Sequence, residues 1–147
     1  MKISREEYAA LVREKTPPSP LGGNLLRAFL IGGLICCVGQ AFFELYRAAG
    51  LDKETAAPVV SVTLVFLGAL LTGLGVYDNI ARFAGAGSLV PITGFANSVV
   101  SPALEFKSEG FITGMAAKMF VIAGPVLVYG TAASVVYGVI LMLFGLA

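Results

Sequence analysis

Four long stretches of this chain contain no charged residue, and they limit the folds that are open to it. They cover residues 28–43, 55–77, 83–104 and 119–147. A helix rises 1.5 Å per residue, so about 20 apolar residues cross the roughly 30 Å hydrocarbon core of a bilayer. Only 13% of the residues are charged and 57% are hydrophobic, whereas about 25% charged residues is typical of a soluble domain. The sequence therefore predicts an all-α integral membrane protein.

The residue types that usually carry out catalysis or hold a metal ion are scarce. The chain has no histidine, and its two cysteines, Cys36 and Cys37, are adjacent within an apolar stretch. Their spacing matches neither a redox CxxC pair nor a zinc site. The net charge of +1 provides no basic field for nucleic acid. We therefore expect no enzyme activity, no cofactor, no metal and no nucleic-acid partner.

Three of the uncharged stretches fit single helices that cross the membrane. The first is short, but it becomes long enough when Arg27 and Arg47 lie at the two interfaces with their charged ends in water. Tyr77, at the end of the second, is expected to anchor that helix at an interface. The predicted spans cover about residues 25–46, 56–77 and 119–145, within a membrane domain of residues 24–147.

Residues 1–23 are predicted to form a cytoplasmic amphipathic arm with a Pro-rich linker. Ser4 followed by Glu7 has the spacing of a capping box, in which each side chain bonds the backbone N–H of the other residue. Residues 16–20 include three prolines, which cannot continue a helix. An apolar helix face is formed by Tyr8, Leu11 and Val12. This helix either docks on the membrane surface or a partner, or it is a solvated tail.

The stretch 83–104 differs from the others because five of its residues interrupt regular helices. They are Gly85, Gly87, Pro91, Gly94 and Pro102. Irregular backbone at membrane depth persists only where protein buries it or where it lines a wet cavity. We therefore predict three transmembrane helices plus a broken, re-entrant segment. In this topology, Arg82, Lys107 and Lys118 lie on the same side of the membrane as the basic N-terminal segment. The positive-inside rule favours such an arrangement. Four transmembrane helices are the alternative.

Polar side chains within or beside the apolar stretches are candidates for a solute path, because lipid makes them costly. In a re-entrant segment, hydroxyls, amides and free backbone dipoles would meet an ion or a small polar solute. Several candidates also have a structural interpretation. Glu44 and Asp78 have ion-pair partners in Arg47 and Arg82. Lys107 fits a solvated loop, Lys118 fits the membrane interface, and Asn97 fits a hydrogen bond between helices. The candidates are Gln40, Glu44, Asp78, Arg82, Ser88, Thr93, Asn97, Lys107 and Lys118.

Small residues recur every four positions in the last span. Gly130, Ser134 and Gly138 form a ridge on one face of the predicted helix. Such ridges allow helix backbones to approach closely in membranes. The sequence predicts helix packing along this ridge, and a pore wall is the alternative.

Several stretches resemble the stage V sporulation AC/AEb membrane protein family. The similarity includes FLIGGLIC and GQ in the first span, and ALLTGLGVYD at residues 69–78. The most specific block is FAGAGSLVPITGFANSVVSPALEFKSEG at residues 83–110. The resemblance covers about residues 24–145. The charged arm ahead of the first span is similar to that of the AC-type members.

The resemblance implies a function, which composition and residue spacing alone do not indicate. Members of this family lie in the inner membrane of the developing bacterial endospore (the forespore) and act with other membrane proteins of the same sporulation operon. They move dipicolinic acid, with calcium, into the spore core and release it at germination. AC-type members are implied to form a tension-sensitive channel. We therefore expect a channel or transport subunit.

Two features of the predicted subunit stay open. Three spans are too few to enclose a wide pore, so we expect a homo- or hetero-oligomer in the lipid bilayer. A non-conducting scaffold subunit of a multi-protein transport complex is the alternative function.

Overall fold

The computed structural model describes residues 4–16 and 20–145, apart from the side chains of Ala10 and Arg13. Three of the described helices are long and apolar enough to cross a membrane, namely Leu21–Ala48, Lys53–Gly73 and Phe111–Leu143. The prediction of an all-α membrane protein with three spans is therefore confirmed. The elements in order are α1 (Arg5–Lys15), α2 (Leu21–Ala48), α3 (Lys53–Gly73), α4 (Tyr77–Ala84), α5 (Ala86–Leu89), α6 (Ile92–Glu105), a 3-10 turn (Lys107–Glu109), a π-helical turn (Phe111–Ala116) and α7 (Ala117–Leu143).

Helix α1 begins with the predicted capping box. The Ser4 N–H donates to the Glu7 carboxylate at 2.9 Å, and the Glu7 N–H donates to the Ser4 hydroxyl at 3.2 Å. The bond from the Ser4 backbone, and then the one from its side chain, lower the pKa of the Glu7 carboxyl. The predicted apolar face of α1 is exposed. Pro17, Pro18 and Ser19 of the predicted linker lie outside the described residues.

Helices α2 and α3 form an antiparallel hairpin. The carboxylate of Asp52 accepts the backbone N–H groups of Glu54 and Thr55, at 3.0 and 3.1 Å, and so begins α3. Hydrogen bonds from the Thr55 side chain, and then from its backbone, hold the pKa of Asp52 below its usual range. Across the hairpin, the hydroxyls of Tyr46 and Thr63 lie 2.8 Å apart.

Helix α3 ends four residues earlier than the predicted second span. Gly75 has φ +69°, a conformation that favours glycine, and the Val76 N–H turns back to the Leu71 carbonyl at 2.9 Å. This geometry closes the helix at Gly73. The expectation that Tyr77 is an interface anchor is wrong, because Tyr77 begins α4 and is only 3% exposed.

The predicted interruption of residues 83–104 is present at two points. At Gly85, φ is +55° and ψ is −126°, a combination open almost only to glycine. At Pro91, which has no N–H to donate, α6 begins. The other three predicted interrupters lie inside helices instead, and they are Gly87, Gly94 and Pro102.

Helix α6 runs in the same direction as α3. A Cβ atom on Gly68 would lie 2.9 Å from the Thr93 carbonyl oxygen, and four residues further along both helices Thr72 contacts Asn97. The C-terminal end of α6 therefore lies at the end of the bundle where α3 stops and α2 starts. A re-entrant segment leaves the membrane on the side where it entered, so its last helix must run back toward the end of the bundle where α3 stops. Insertion of the segment into a bilayer stays a prediction.

Apart from Tyr77, small side chains occupy the buried positions among the described residues. The buried hydrophobic residues among those described are Ala56, Tyr77, Ala84, Ala96 and Ala123. The helices therefore approach one another through small contacts, as is usual where lipid removes most of the hydrophobic drive for helix association. Large apolar side chains on α2, α3 and α7 lie on the outside, as a surrounding of lipid chains requires.

The contact at Gly68 predicts that Gly68→Ala destabilises the bundle. The added methyl group would meet the Thr93 backbone at 2.9–3.0 Å, and such overpacking costs about 1–3 kcal/mol. Gly73→Ala is the matched control on the same helix, because its Cβ atom meets nothing within 4 Å. Thermal unfolding in detergent should show a lower midpoint for Gly68→Ala only. Equal midpoints for the two variants would contradict the observed contact between α3 and α6.

Candidate solute-path site

The buried hydroxyl of Tyr77 joins the start of α4 to α5 and α6 through hydrogen bonds. The Tyr77 hydroxyl lies 2.8 Å from the Ser88 carbonyl oxygen and 3.0 Å from the Thr93 hydroxyl. A phenol has one proton, so Tyr77 donates to the carbonyl and accepts from Thr93. The Ser88 hydroxyl donates to the Gly85 carbonyl at 3.0 Å. The Gly85 and Ser88 carbonyl groups therefore have hydrogen-bond donors within the segment.

A second polar contact joins α3 to α6. The Thr72 hydroxyl lies 2.7 Å from the Gly68 carbonyl oxygen and 2.9 Å from the Asn97 side-chain amide. The atom of Asn97 that faces Thr72 is Oδ1, so both partners are acceptors, and the single hydroxyl proton of Thr72 serves the two of them.

The structure thus places three predicted candidates in two hydrogen-bonded groups that meet at α6, since Thr93 and Asn97 lie one turn apart on that helix. We define the Tyr77 cluster as Thr72, Tyr77, Ser88, Thr93 and Asn97. Thr72, Ser88 and Thr93 are 7%, 2% and 7% exposed, and Asn97 is half-buried. The helix-to-helix bond of Asn97 agrees with its structural interpretation. A place for these residues on a solute path stays a prediction.

Glycines allow the cluster to form, and sequence reasoning treated two of them only as interrupters. A Cβ atom on Gly87 would collide with the Ala28 backbone of α2, and one on Gly94 with the Ser88 and Leu89 carbonyls. Sequence reasoning also missed Thr72, Tyr77 and Gly68. A usable signal was the placement of Thr72 and Gly68 four residues apart in an apolar span, where small residues mark helix contacts.

Two polar candidates, Gln40 and Glu44, contact each other on α2. The Gln40 amide donates to the Glu44 carboxylate at 2.7 Å, and both side chains are exposed. Glu44 follows Arg27 by nearly five helical turns, about 25 Å along α2. Glu44 therefore lies toward the opposite end of the bundle from Arg82, and Gln40 lies about one turn nearer to Arg82.

Four charged candidates lie at the end where α2 begins. Arg82 lines a cavity of about 460 Å³ together with Arg27. Lys118 is half-buried, with its ammonium 4.5 Å from the centre of the Phe106 ring, where a cation is attracted to the aromatic face. Asp78 and Lys107 are exposed. Within the described chain, no three Cys, Asp or Glu side chains come together as metal ligands.

The predicted packing ridge on α7 faces outward. The Ser134 hydroxyl donates to the Gly130 carbonyl of its own helix at 2.9 Å. A Cβ atom on Gly130 or Gly138 would meet nothing within 4 Å, and residues 125–140 are all exposed. Helix α7 packs on α6 only through its first half, where Ala123 is buried. Packing along the ridge stays a prediction for contact with another chain.

The Tyr77 cluster predicts that Tyr77→Phe loosens the interrupted segment. This change leaves the Ser88 carbonyl and the Thr93 hydroxyl without their partner, at a cost of about 1–3 kcal/mol. Tyr137→Phe is the control, because Tyr137 is 63% exposed. Limited proteolysis should cut residues 85–92 faster in Tyr77→Phe, and the thermal midpoint should fall. Unchanged proteolysis would contradict a role for this hydroxyl in holding the segment.

Comparison with known proteins places this arrangement in a family. The chain is 46% identical over 141 residues to stage V sporulation protein AC of Bacillus subtilis (strain 168), which spans 95% of this chain and 94% of the relative. No solved structure gives a significant match. The family described as SpoVAC/SpoVAEB sporulation membrane protein matches residues 24–140. The chain is an integral membrane protein that belongs to the SpoVAC/SpoVAEB sporulation membrane protein family.

Proposed function

We propose that the chain is a channel or transport subunit that moves dipicolinic acid, with calcium, across the inner membrane of the forespore. The other subunits are membrane proteins of the same sporulation operon, or further copies of this chain. Residues 83–104 lie beside the solute path, and membrane tension opens it. Membership of the sporulation family supports the cellular setting. The transported solute follows from the family resemblance alone.

The observation that carries the proposal is the interrupted backbone at Gly85 and Pro91. Helices without such breaks would serve a protein that only anchors other proteins in lipid. Breaks at membrane depth are costly, and they are typical of transporters and channels, where half-helices end beside the solute. Here the Tyr77 cluster stabilises the breaks through buried hydrogen bonds.

The depth of the segment fits a re-entrant path. Thr93 lies beside Gly68, which precedes the end of α3 by five residues, so α6 starts about 8 Å inside the end of the bundle. Leu89 and Val90, at the turn between α5 and α6, are 68% and 86% exposed. Large apolar side chains in that position are favourable in lipid and costly in water. These features support insertion of the turn into the outer part of the bilayer core.

The large exposed area of the chain supports a multi-subunit assembly. The polar groups of the Tyr77 cluster bond one another, so one copy offers no open row of solute ligands along its axis. The second half of α7, residues 125–140, is exposed on every side. A path between several subunits, with the interrupted segment at its edge, accommodates both facts.

The direct test expresses this chain in Bacillus subtilis in place of stage V sporulation protein AC. Bacillus subtilis spores that lack stage V sporulation protein AC should contain little dipicolinate, and expression of this chain should restore it. Within that strain, Asn97→Leu and Arg82→Ala should each lower the dipicolinate content severalfold while the amount of protein in the membrane stays normal. Terbium luminescence of released dipicolinate is the measurement. Arg47→Ala, at the opposite end of the bundle, is the control, and full accumulation in both test variants contradicts the proposal.

A second function, a non-conducting scaffold subunit, is favoured by the outward ridge on α7. If the chain only holds other subunits, Gly130→Leu should abolish assembly while Asn97→Leu is tolerated. Gly33→Leu on α2 is the control, because Gly33 also has open space around its Cβ position. Co-purification of the assembly from sporulating cells measures the effect. Retained assembly in Gly130→Leu would reject a contact along the ridge.

Electrical recording of the purified chain separates the two functions. Discrete, tension-dependent openings in patched liposomes would indicate that the chain conducts by itself. Silence of well-incorporated protein, together with restored dipicolinate in spores, would favour the scaffold.

A further inference from the structure

The cavity between α2 and α4 has the chemistry of an anion site. It has a volume of about 460 Å³ and is bounded by the first two turns of α2 and by the junction of α4 and α5. Two guanidinium side chains, Arg27 and Arg82, belong to its lining, and none of the described residues that line it carries a carboxylate. Asp78, one turn before Arg82 on α4, is not part of the lining. Two cations therefore belong to the wall of one space, and the described part of that wall contributes no anion.

Arg27 contacts the ring of Phe83 beside the cavity. Its guanidinium carbon lies 5.0 Å from the centre of that ring, within the distance at which a cation is attracted to an aromatic face. This contact limits where the charge of Arg27 lies. A guanidinium carries five N–H donors, which are the groups that bind a carboxylate or a phosphate.

The remaining walls define the size and character of the ligand. Leu21, Leu25 and the ring of Phe83 form apolar sides, and Gly85 adds no side chain. A volume of this size suits a small molecule, and a planar fork-shaped cation binds carboxylate or phosphate oxygens in pairs. We propose that this cavity binds an oxyanion, held by Arg27 and Arg82, with its apolar part against Leu21, Leu25 and Phe83.

Two sources of that oxyanion share the same chemistry. One is a free dicarboxylate in the adjoining water, and the other is the phosphate of an anionic lipid at the membrane surface, where basic residues attract such headgroups. The proposal goes beyond the proposed function, because binding at Arg27 and Arg82 is measured without any transport. A chain that conducts nothing can still bind, and a chain that binds nothing here can still conduct.

The test uses the full chain in nanodiscs of phosphatidylcholine and two probes. The first is dipicolinate, titrated by calorimetry in calcium-free buffer, and the second is phosphatidylglycerol added to the nanodisc lipid, monitored through the thermal midpoint. At least one probe should bind or stabilise. Arg27→Gln and Arg82→Gln should each weaken that effect by roughly tenfold or more, since a charge-assisted hydrogen bond contributes about 1.5–3 kcal/mol. Arg47→Gln should leave it unchanged.

Each outcome either identifies the source of the oxyanion or contradicts the proposal. Dipicolinate binding in phosphatidylcholine alone assigns the site to a free dicarboxylate, and a response to phosphatidylglycerol alone assigns it to a lipid headgroup. No response to either probe, or an equal loss in Arg47→Gln, overturns the proposal. Arg27→Lys and Arg82→Lys keep the charge where a glutamine variant fails to fold. They should also weaken binding, because lysine lacks the planar fork.

Discussion

A single buried hydroxyl, that of Tyr77, joins the start of α4 to the residues on both sides of the break at Pro91. Lipid offers no hydrogen bonds, so a helix interrupted at Gly85 and Pro91 must satisfy its polar groups from within the protein. Tyr77 bonds the Ser88 carbonyl and the Thr93 hydroxyl. The same contacts bring the start of α4 against α5 and α6. The position of the interrupted segment relative to α3 follows from this arrangement.

Close backbone approach is the second constraint, and it depends on glycine rather than on large apolar side chains. Gly87 lies against Ala28 of α2, and Gly68 of α3 lies against Thr93. Each approach allows a short segment to be held between the two helices of the hairpin. Since lipid chains are as apolar as leucine, such contacts supply packing energy that hydrophobic burial does not.

The three spans and the interruption at Gly85 could be predicted from the sequence, because lipid thickness and glycine geometry act locally. The capping box of Ser4 and Glu7 is local for the same reason. The Tyr77 cluster could not be predicted, since it joins residues up to 25 positions apart and depends on α6 running parallel to α3. For that reason Tyr77 was expected at the interface, and Ser88, Thr93 and Asn97 were considered mainly as solute ligands.

Two sets of polar groups have different roles, since one set stabilises the interrupted segment and the other lines the cavity that we propose as an anion site. Within the cluster, hydroxyls and the Asn97 amide are engaged with one another, so replacing them acts first on the shape of the segment. At the end of the bundle, Arg27 and Arg82 line an open cavity, and none of its described lining residues carries a carboxylate. A small oxyanion in that cavity would therefore lie against Gly85, the first break of the interrupted segment. Changes at Arg82 and at Asn97 should for this reason differ in kind, the first altering affinity for an anion and the second altering the stability of the segment beside the path.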